Sequence, residues 1–166
     1  MRLIGLVFVL LLAFIFLLGC TFFGNDSLQE MDALEQKYFV KSSYSTSLSS
    51  MTDYISSLAE LSKSAGVEGK KIIQAEIYLA ESFVYQNKAL IESTRVDYVN
   101  INCSLKETRD LVKYISLAEK SVNLARESYS SLNESQRKNL RENYLILLEG
   151  FEENISVMKD FIDKKC

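Results

Sequence analysis

The sequence predicts an all-α protein, an up-down-up-down four-helix bundle that follows an N-terminal export or anchor segment. Residues 3–18 form an uninterrupted uncharged run that is almost wholly apolar. Downstream of it, apolar residues recur at steps of three and four, which is the period of amphipathic helices rather than of strands. Turn and cap signals divide this downstream region into four long stripes, and four stripes joined by short turns are typical of a four-helix bundle.

The N-terminal segment has the organisation of an export signal. Arg2 supplies positive charge before the apolar run, which ends in Leu17-Leu18-Gly19-Cys20. These four residues resemble the lipobox of prokaryotic membrane lipoproteins. The resemblance implies that Cys20 carries a diacylglyceryl group on its thiol and that cleavage follows Gly19.

The predicted boundaries follow from that resemblance. We expect a lipoprotein-type signal peptide over residues 1–19, a lipid-anchored tether over 20–27 and the helical bundle over 28–166. The alternative is an uncleaved anchor, because residues 3–24 carry no charge and ~22 residues at ~1.5 Å each could cross a membrane. Both interpretations export the remainder and hold it on the extracytoplasmic side of a membrane.

The first helical stripe is predicted to begin at a capping box, Ser27-Leu28-Gln29-Glu30, and to continue to about Ser64. Residues 42–64 contain ten serines, which lower helix propensity. The first helix is therefore expected to break near Ser42–Ser50 or to overhang the others, unless the serines only line its solvent face. Gly66 and Gly69 are expected to bracket the first turn in left-handed conformations.

Three further stripes are predicted. The second covers about Lys70 to Tyr98, and the third begins at a capping box, Ser104-Leu105-Lys106-Glu107. The fourth begins near Asn133–Gln136 and reaches Ile162.

Composition excludes several functions. The chain has no His, so it can form neither a Ser-His nor a Cys-His nucleophile, and it has no imidazole metal ligand. The predicted core positions of the last three stripes contain no Asp or Glu, and the acidic residues are assigned to polar faces. We therefore expect no catalytic residues, no metal and no cofactor. The formal net charge of −3 also argues against nucleic-acid binding.

A few polar positions remain as candidates. Asn87 interrupts an aliphatic row, where it would fix helix register or contact a ligand. Asn25 and Asn133 lie in Asn-x-Ser sequences and are candidate glycosylation sites. One end of the bundle is also expected to contain several basic residues: Lys63, Lys70, Lys71, Arg137, Lys138 and Arg141. This end would be either a solvated turn region or a surface that binds an anionic partner.

Cys103 and Cys166 are predicted to form a disulfide. If the first helix rises from the tether, both cysteines reach the membrane-proximal end of an up-down bundle. An exported protein occupies a compartment that permits disulfides. The alternatives are two free thiols, or a Cys166 that pairs between molecules.

The function predicted from these features is that of a membrane-tethered extracytoplasmic lipoprotein, an interaction or structural module with a protein or cell-envelope partner. The alternative is an extracytoplasmic ligand-sensing or substrate-binding four-helix domain. An accessible interior pocket would favour the alternative, and a dry core the first interpretation.

Overall fold

The computed structural model describes residues 26–38, 47–97, 101–141 and 143–165, and these residues form helices joined by turns, with no strand among them. The all-α prediction is confirmed for this part of the chain. The helices are α1 (residues 26–38), α2 (Leu48–Ser64), α3 (Val67–Ser93), α4 (Lys106–Ser131), α5 (Glu134–Arg137) and α6 (Tyr144–Asp163).

Helix α3 is the centre of the fold, since it contacts α2, α4, α5 and α6. The hydroxyl of Tyr144 lies 2.9 Å from the carbonyl oxygen of Ala75 and 3.3 Å from that of Ala125. This contact places the start of α6 beside the start of α3 and the end of α4. Because Lys88 lies over the Tyr114 ring and Gln86 donates to the Phe151 carbonyl farther along, α3 and α4 are antiparallel and α6 runs parallel to α3.

The first predicted helix is divided, as the serine content suggested. Ser47 has extended backbone angles, and its side chain accepts a hydrogen bond from the Ser50 amide at 3.1 Å, so it caps the start of α2. Residues 39–46 lie outside the described residues. Helix α1 does not overhang as a stalk, because Met31 is only 1% exposed and belongs to the core.

Helix α1 runs antiparallel to α2. The Ser27 hydroxyl lies 3.0 Å from the position that a Cβ atom on Gly69 would occupy, while the Tyr38 ring lies 5.8 Å from the Tyr54 ring. Helix α1 thus begins beside the α2–α3 turn. We call this the α5 end (residues 63–71 and α5), and the opposite extremity the Cys103 end (residues 101–106 and 163–165).

This direction corrects one expectation. The first helix was predicted to rise from the tether beside Cys103, but α1 begins at the α5 end. The reason is the break before Ser47, which inserts one reversal of the chain before α2. The start of α1 and Cys103 therefore lie at opposite ends of the described helices.

Several predicted caps are also wrong. Ser27 lies inside helical residues, so it does not cap α1. Leu105, not Ser104, is the N-cap residue of α4, because the amide and hydroxyl of Ser104 both donate to the Asn102 side chain, at 3.0 and 2.6 Å. Gly66 has a φ of −66°, so no left-handed glycine ends α2.

The fourth stripe is divided as well. Helix α5 is a single turn, and residues 138–143 separate it from α6. Arg141 lies in this separating segment, and its side chain is only 9% exposed. The interruption therefore brings a charged side chain into the core.

Candidate functional site

Four polar side chains from different parts of the chain meet in the interior: Glu35 of α1, Tyr54 of α2, Glu76 of α3 and Arg141. We call them the charge cluster. The Arg141 guanidinium donates to Glu76 through Nη2 at 2.9 Å and Nε at 3.0 Å, and the Arg141 amide lies 3.3 Å from the other carboxylate oxygen. Glu35 is 3.6 Å from the same guanidinium, and the Tyr54 hydroxyl is 3.4 Å from it.

Burial governs the electrostatics of this cluster. Glu76 has only 1% of its side chain exposed. Burial, reinforced by the nearby Glu76 carboxylate, raises the pKa of Tyr54 well above its usual range. Burial also raises the pKa of Glu35, although the positive charge of Arg141 opposes this rise. For Arg141, burial alone would lower the pKa, but the attraction of the Glu76 carboxylate outweighs it, and the pKa of Arg141 is raised. Arg141 is therefore a permanent cation held between two carboxylates.

The cluster corrects the expectation that every acidic residue lies on a polar face. The contacts of Arg141 with Glu35, Tyr54 and Glu76 each join the segment before α6 to a different helix. Among the described buried side chains, no nitrogen or oxygen atom lacks a hydrogen-bond partner. Such an arrangement holds α1, α2, α3 and the segment before α6 in one register. Its chemistry is that of a structural crosslink, because the guanidinium is already engaged by its neighbours.

The second feature is an open, largely apolar concavity of about 490 Å³ between α3 and α6. We call it the α3/α6 groove. Phe83 and Phe151 meet in its wall with their ring centroids 6.2 Å apart, and Leu90 and Val157 are 60% and 65% exposed at its rim. The remaining lining residues are Gln86, Asn87, Glu153, Asn154 and Met158.

The groove exists because α2 is shorter than α3. Met51, in the first turn of α2, lies at the level of Phe83 and Phe151. Within the described residues, α2 therefore covers the first part of α3, whereas beyond Phe83 α3 is flanked by α4 and α6 without α2.

Two amides in the groove are committed to the backbone. Gln86 donates to the carbonyl of Phe151 at 3.0 Å and joins α3 to α6. Asn87 donates to the carbonyl of Phe83, one turn earlier in its own helix, at 2.8 Å. Gln86 therefore makes the contact between helices that was expected of Asn87, while the Asn87 side chain lines the groove.

The predicted covalent sites are placed only in part. Cys20, Asn25 and Cys166 lie outside the described residues. Cys103 is exposed, and its sulfur lies 3.8 Å from the carbonyl oxygen of Lys165, the residue before Cys166. Asn133 is exposed at the N-cap of α5, where its side chain and that of Gln136 form a capping box.

The predicted basic end is weaker than expected. Arg141 is removed from it by the charge cluster, and Arg137 packs over the Tyr129 ring, 4.7 Å from its centroid. Lys63 pairs with Glu60 at 2.6 Å, and Lys138 lies 3.7 Å from Glu134. Lys70 and Lys71 are exposed on the first turn of α3, beside Glu68.

The fold and these two features define the class only as a small all-helical domain with a buried charge cluster and an open apolar groove. Comparison with known proteins found no matching family model, curated protein or solved structure. In the part of the chain that the structure describes, no helix is long and apolar enough to cross a membrane. The same residues contain no group of three His, Cys, Asp or Glu side chains that could hold a metal ion.

Proposed function

We propose that this protein is a membrane-tethered, extracytoplasmic lipoprotein whose helical domain acts as an interaction module and presents the α3/α6 groove to a partner in the cell envelope. The lipobox-like residues Leu17–Cys20 supply the tether, and the domain is an up-down bundle of helices to whose core α1 contributes Met31. The observation that carries the interaction role is the exposure of Leu90 and Val157 over an apolar floor.

The composition of the groove favours an apolar partner segment. Phe83, Phe151 and Met158 line the groove together with Leu90 and Val157, and its polar lining residues are Gln86, Asn87, Glu153 and Asn154. An amphipathic helix laid in such a groove would bury Leu90 and Val157 and leave its own polar face in water. Burial of apolar surface contributes ~25 cal/mol per Å², so covering Leu90 and Val157 stabilises a complex even without an ion pair.

The experiment is site-specific photocrosslinking in intact cells that naturally express the protein. A photoreactive residue at position 90 or 157 should yield one protein adduct of the same size from both positions. Position 112 is the matched control, because Val112 is an exposed valine of α4, 42% exposed, that does not line the groove. Equal adducts from position 112, or none from the groove, would contradict the proposal.

A small-molecule ligand is the second candidate function, and the groove volume favours it. About 490 Å³ falls within the ~300–1,000 Å³ of ligand pockets. The groove is nevertheless open along its length, whereas ligand sites bury most of their ligand. A small molecule that co-purifies with the protein and is lost in a Phe151→Ala variant would favour ligand binding over a helical partner.

A further inference from the structure

We infer that the α5 end of the helical domain faces the membrane surface and that the Cys103 end faces away from it. This inference rests on the tethering proposed above, and its partner is the lipid surface itself. It reverses the orientation that the sequence alone suggests.

The direction of α1 carries the first step. Ser27 is 6% exposed and lies against Gly69, where its hydroxyl is 3.0 Å from the position of an added Cβ atom. Four residues later, Met31 is 1% exposed in the core. The first described turn of the chain is thus packed into the α5 end, and this is the point at which the preceding residues join the domain.

The length of the tether carries the second step. Six peptide steps separate Cys20 from Asp26, so a lipid-modified Cys20 lies at most about 20 Å from the start of α1. An uncleaved anchor ending at residue 24 would hold α1 closer still. By contrast, α4 has 26 residues and is ~39 Å long, so even a fully extended tether cannot bring the anchor to the Cys103 end.

Charge does not determine this orientation. At the α5 end, Lys63 is paired with Glu60 and Lys138 with Glu134, and the exposed Lys70 and Lys71 lie beside Glu68. The orientation is therefore expected on neutral lipid as well as on anionic lipid, because tether length and not attraction brings this end to the surface.

The orientation also places the α3/α6 groove. Phe83 lies 16 residues beyond the start of α3, which is ~24 Å along the helix from the α5 end. The groove then opens above the lipid surface, where a partner in the aqueous phase or in another envelope layer can reach it.

The test uses the absence of tryptophan from the chain. Single-tryptophan variants of the full, lipid-modified protein, Val67→Trp and Leu105→Trp, are reconstituted into phosphatidylcholine vesicles that contain a dansyl-labelled lipid. Val67 is 77% exposed at the α5 end and Leu105 is 51% exposed at the Cys103 end, so both positions accept a larger side chain. Energy transfer should be several-fold greater from Val67→Trp than from Leu105→Trp.

A second pair of exposed positions, Lys138→Trp and Arg109→Trp, should repeat the difference if either first variant folds poorly. Equal energy transfer from the two ends, or greater energy transfer from the Cys103 end, overturns the orientation. If the same samples float with the vesicles, the tether is upheld even though the orientation is wrong. A chain that does not float with the vesicles overturns the tether and the orientation together.

Discussion

Replacing Arg141 with methionine should destabilise the protein more than any exposed charge substitution. The substitution leaves the Glu76 carboxylate, 1% exposed, without the guanidinium that lies 2.9 Å from it. Breaking a buried ion pair from one side costs about 3–5 kcal/mol, because the remaining charge is desolvated and uncompensated. Glu76→Gln should cost less, since Glu35 still faces the guanidinium at 3.6 Å.

Urea unfolding followed by circular dichroism measures the free energy of unfolding of each variant. Arg126→Met is the matched control, because the Arg126–Glu152 pair is 43% and 35% exposed and is expected to contribute about 0.2–1 kcal/mol. The double variant Arg141→Met/Glu76→Met should recover much of the lost stability. If Arg141→Met is no more destabilising than Arg126→Met, the assignment of the charge cluster as a crosslink is wrong.

Four further predictions concern the remaining sites. Burial raises the pKa of Glu35 above its ordinary 4.5. Protonation of Glu35 therefore stabilises the folded protein below pH 4.5, and this stabilisation is lost as the pH rises through the raised pKa. Glu35→Gln should flatten that part of the stability–pH curve, and an unchanged slope would contradict the raised pKa. Oxidised protein should contain no free thiol on Cys103 or Cys166, and reduction should lower the free energy of unfolding by up to about 4 kcal/mol, the value for a 64-residue loop in the chain-entropy model. Two titratable thiols in oxidised, unfolded protein would exclude the disulfide. Cys20→Ala should leave the precursor uncleaved and therefore larger than the wild-type protein, whereas an unchanged size would support an uncleaved anchor. Asn133→Ala should lower the free energy of unfolding by about 1 kcal/mol through loss of the α5 cap, with Asn133→Ser retaining most of it.

The helical period was sufficient to predict the interior of the long helices. Within the second predicted stripe, Ile73, Ile77, Ala80 and Val84 recur at steps of three and four and are all buried in α3, whereas Ile91, farther along the same row, is 43% exposed. In the third stripe the residues at these steps are buried in α4: Leu111, Ile115, Ala118, Val122 and Ala125. These residues could be identified because burial on one face of a helix leaves a pattern at steps of three and four.

The charge cluster could not be predicted in the same way. Glu76 lies three and four residues from Ile73, Ile72, Leu79 and Ala80, so its position on the apolar stripe was visible in the sequence. What could not be seen is its partner, because Arg141 is 65 residues away and lies outside any helix. Without the partner, a buried carboxylate is energetically unreasonable, and assignment to a polar face was the natural but wrong choice.

The direction of α1 was missed for a related reason. The serines of residues 42–64 indicated a break, and the cap at Ser47 confirms one. A break by itself does not say whether the chain continues or reverses. The reversal is accompanied by contacts between residues far apart in the sequence, Ser27 with Gly69 and Tyr38 with Tyr54, and such a long-range fit has no local signature.

The short α2 also divides the domain into two regions that should open at different rates. Toward the α5 end, α3 is enclosed by neighbouring helices and crosslinked by Arg141, so its amide protons can exchange with deuterium only when much of the domain unfolds. Beyond Phe83, the described structure provides less cover, and the last turns of α3 can fray while the rest stays folded. In the orientation inferred above, slow exchange lies next to the anchor and fast exchange next to the groove. A partner could then remould the outer half of the domain without loosening its attachment to the membrane.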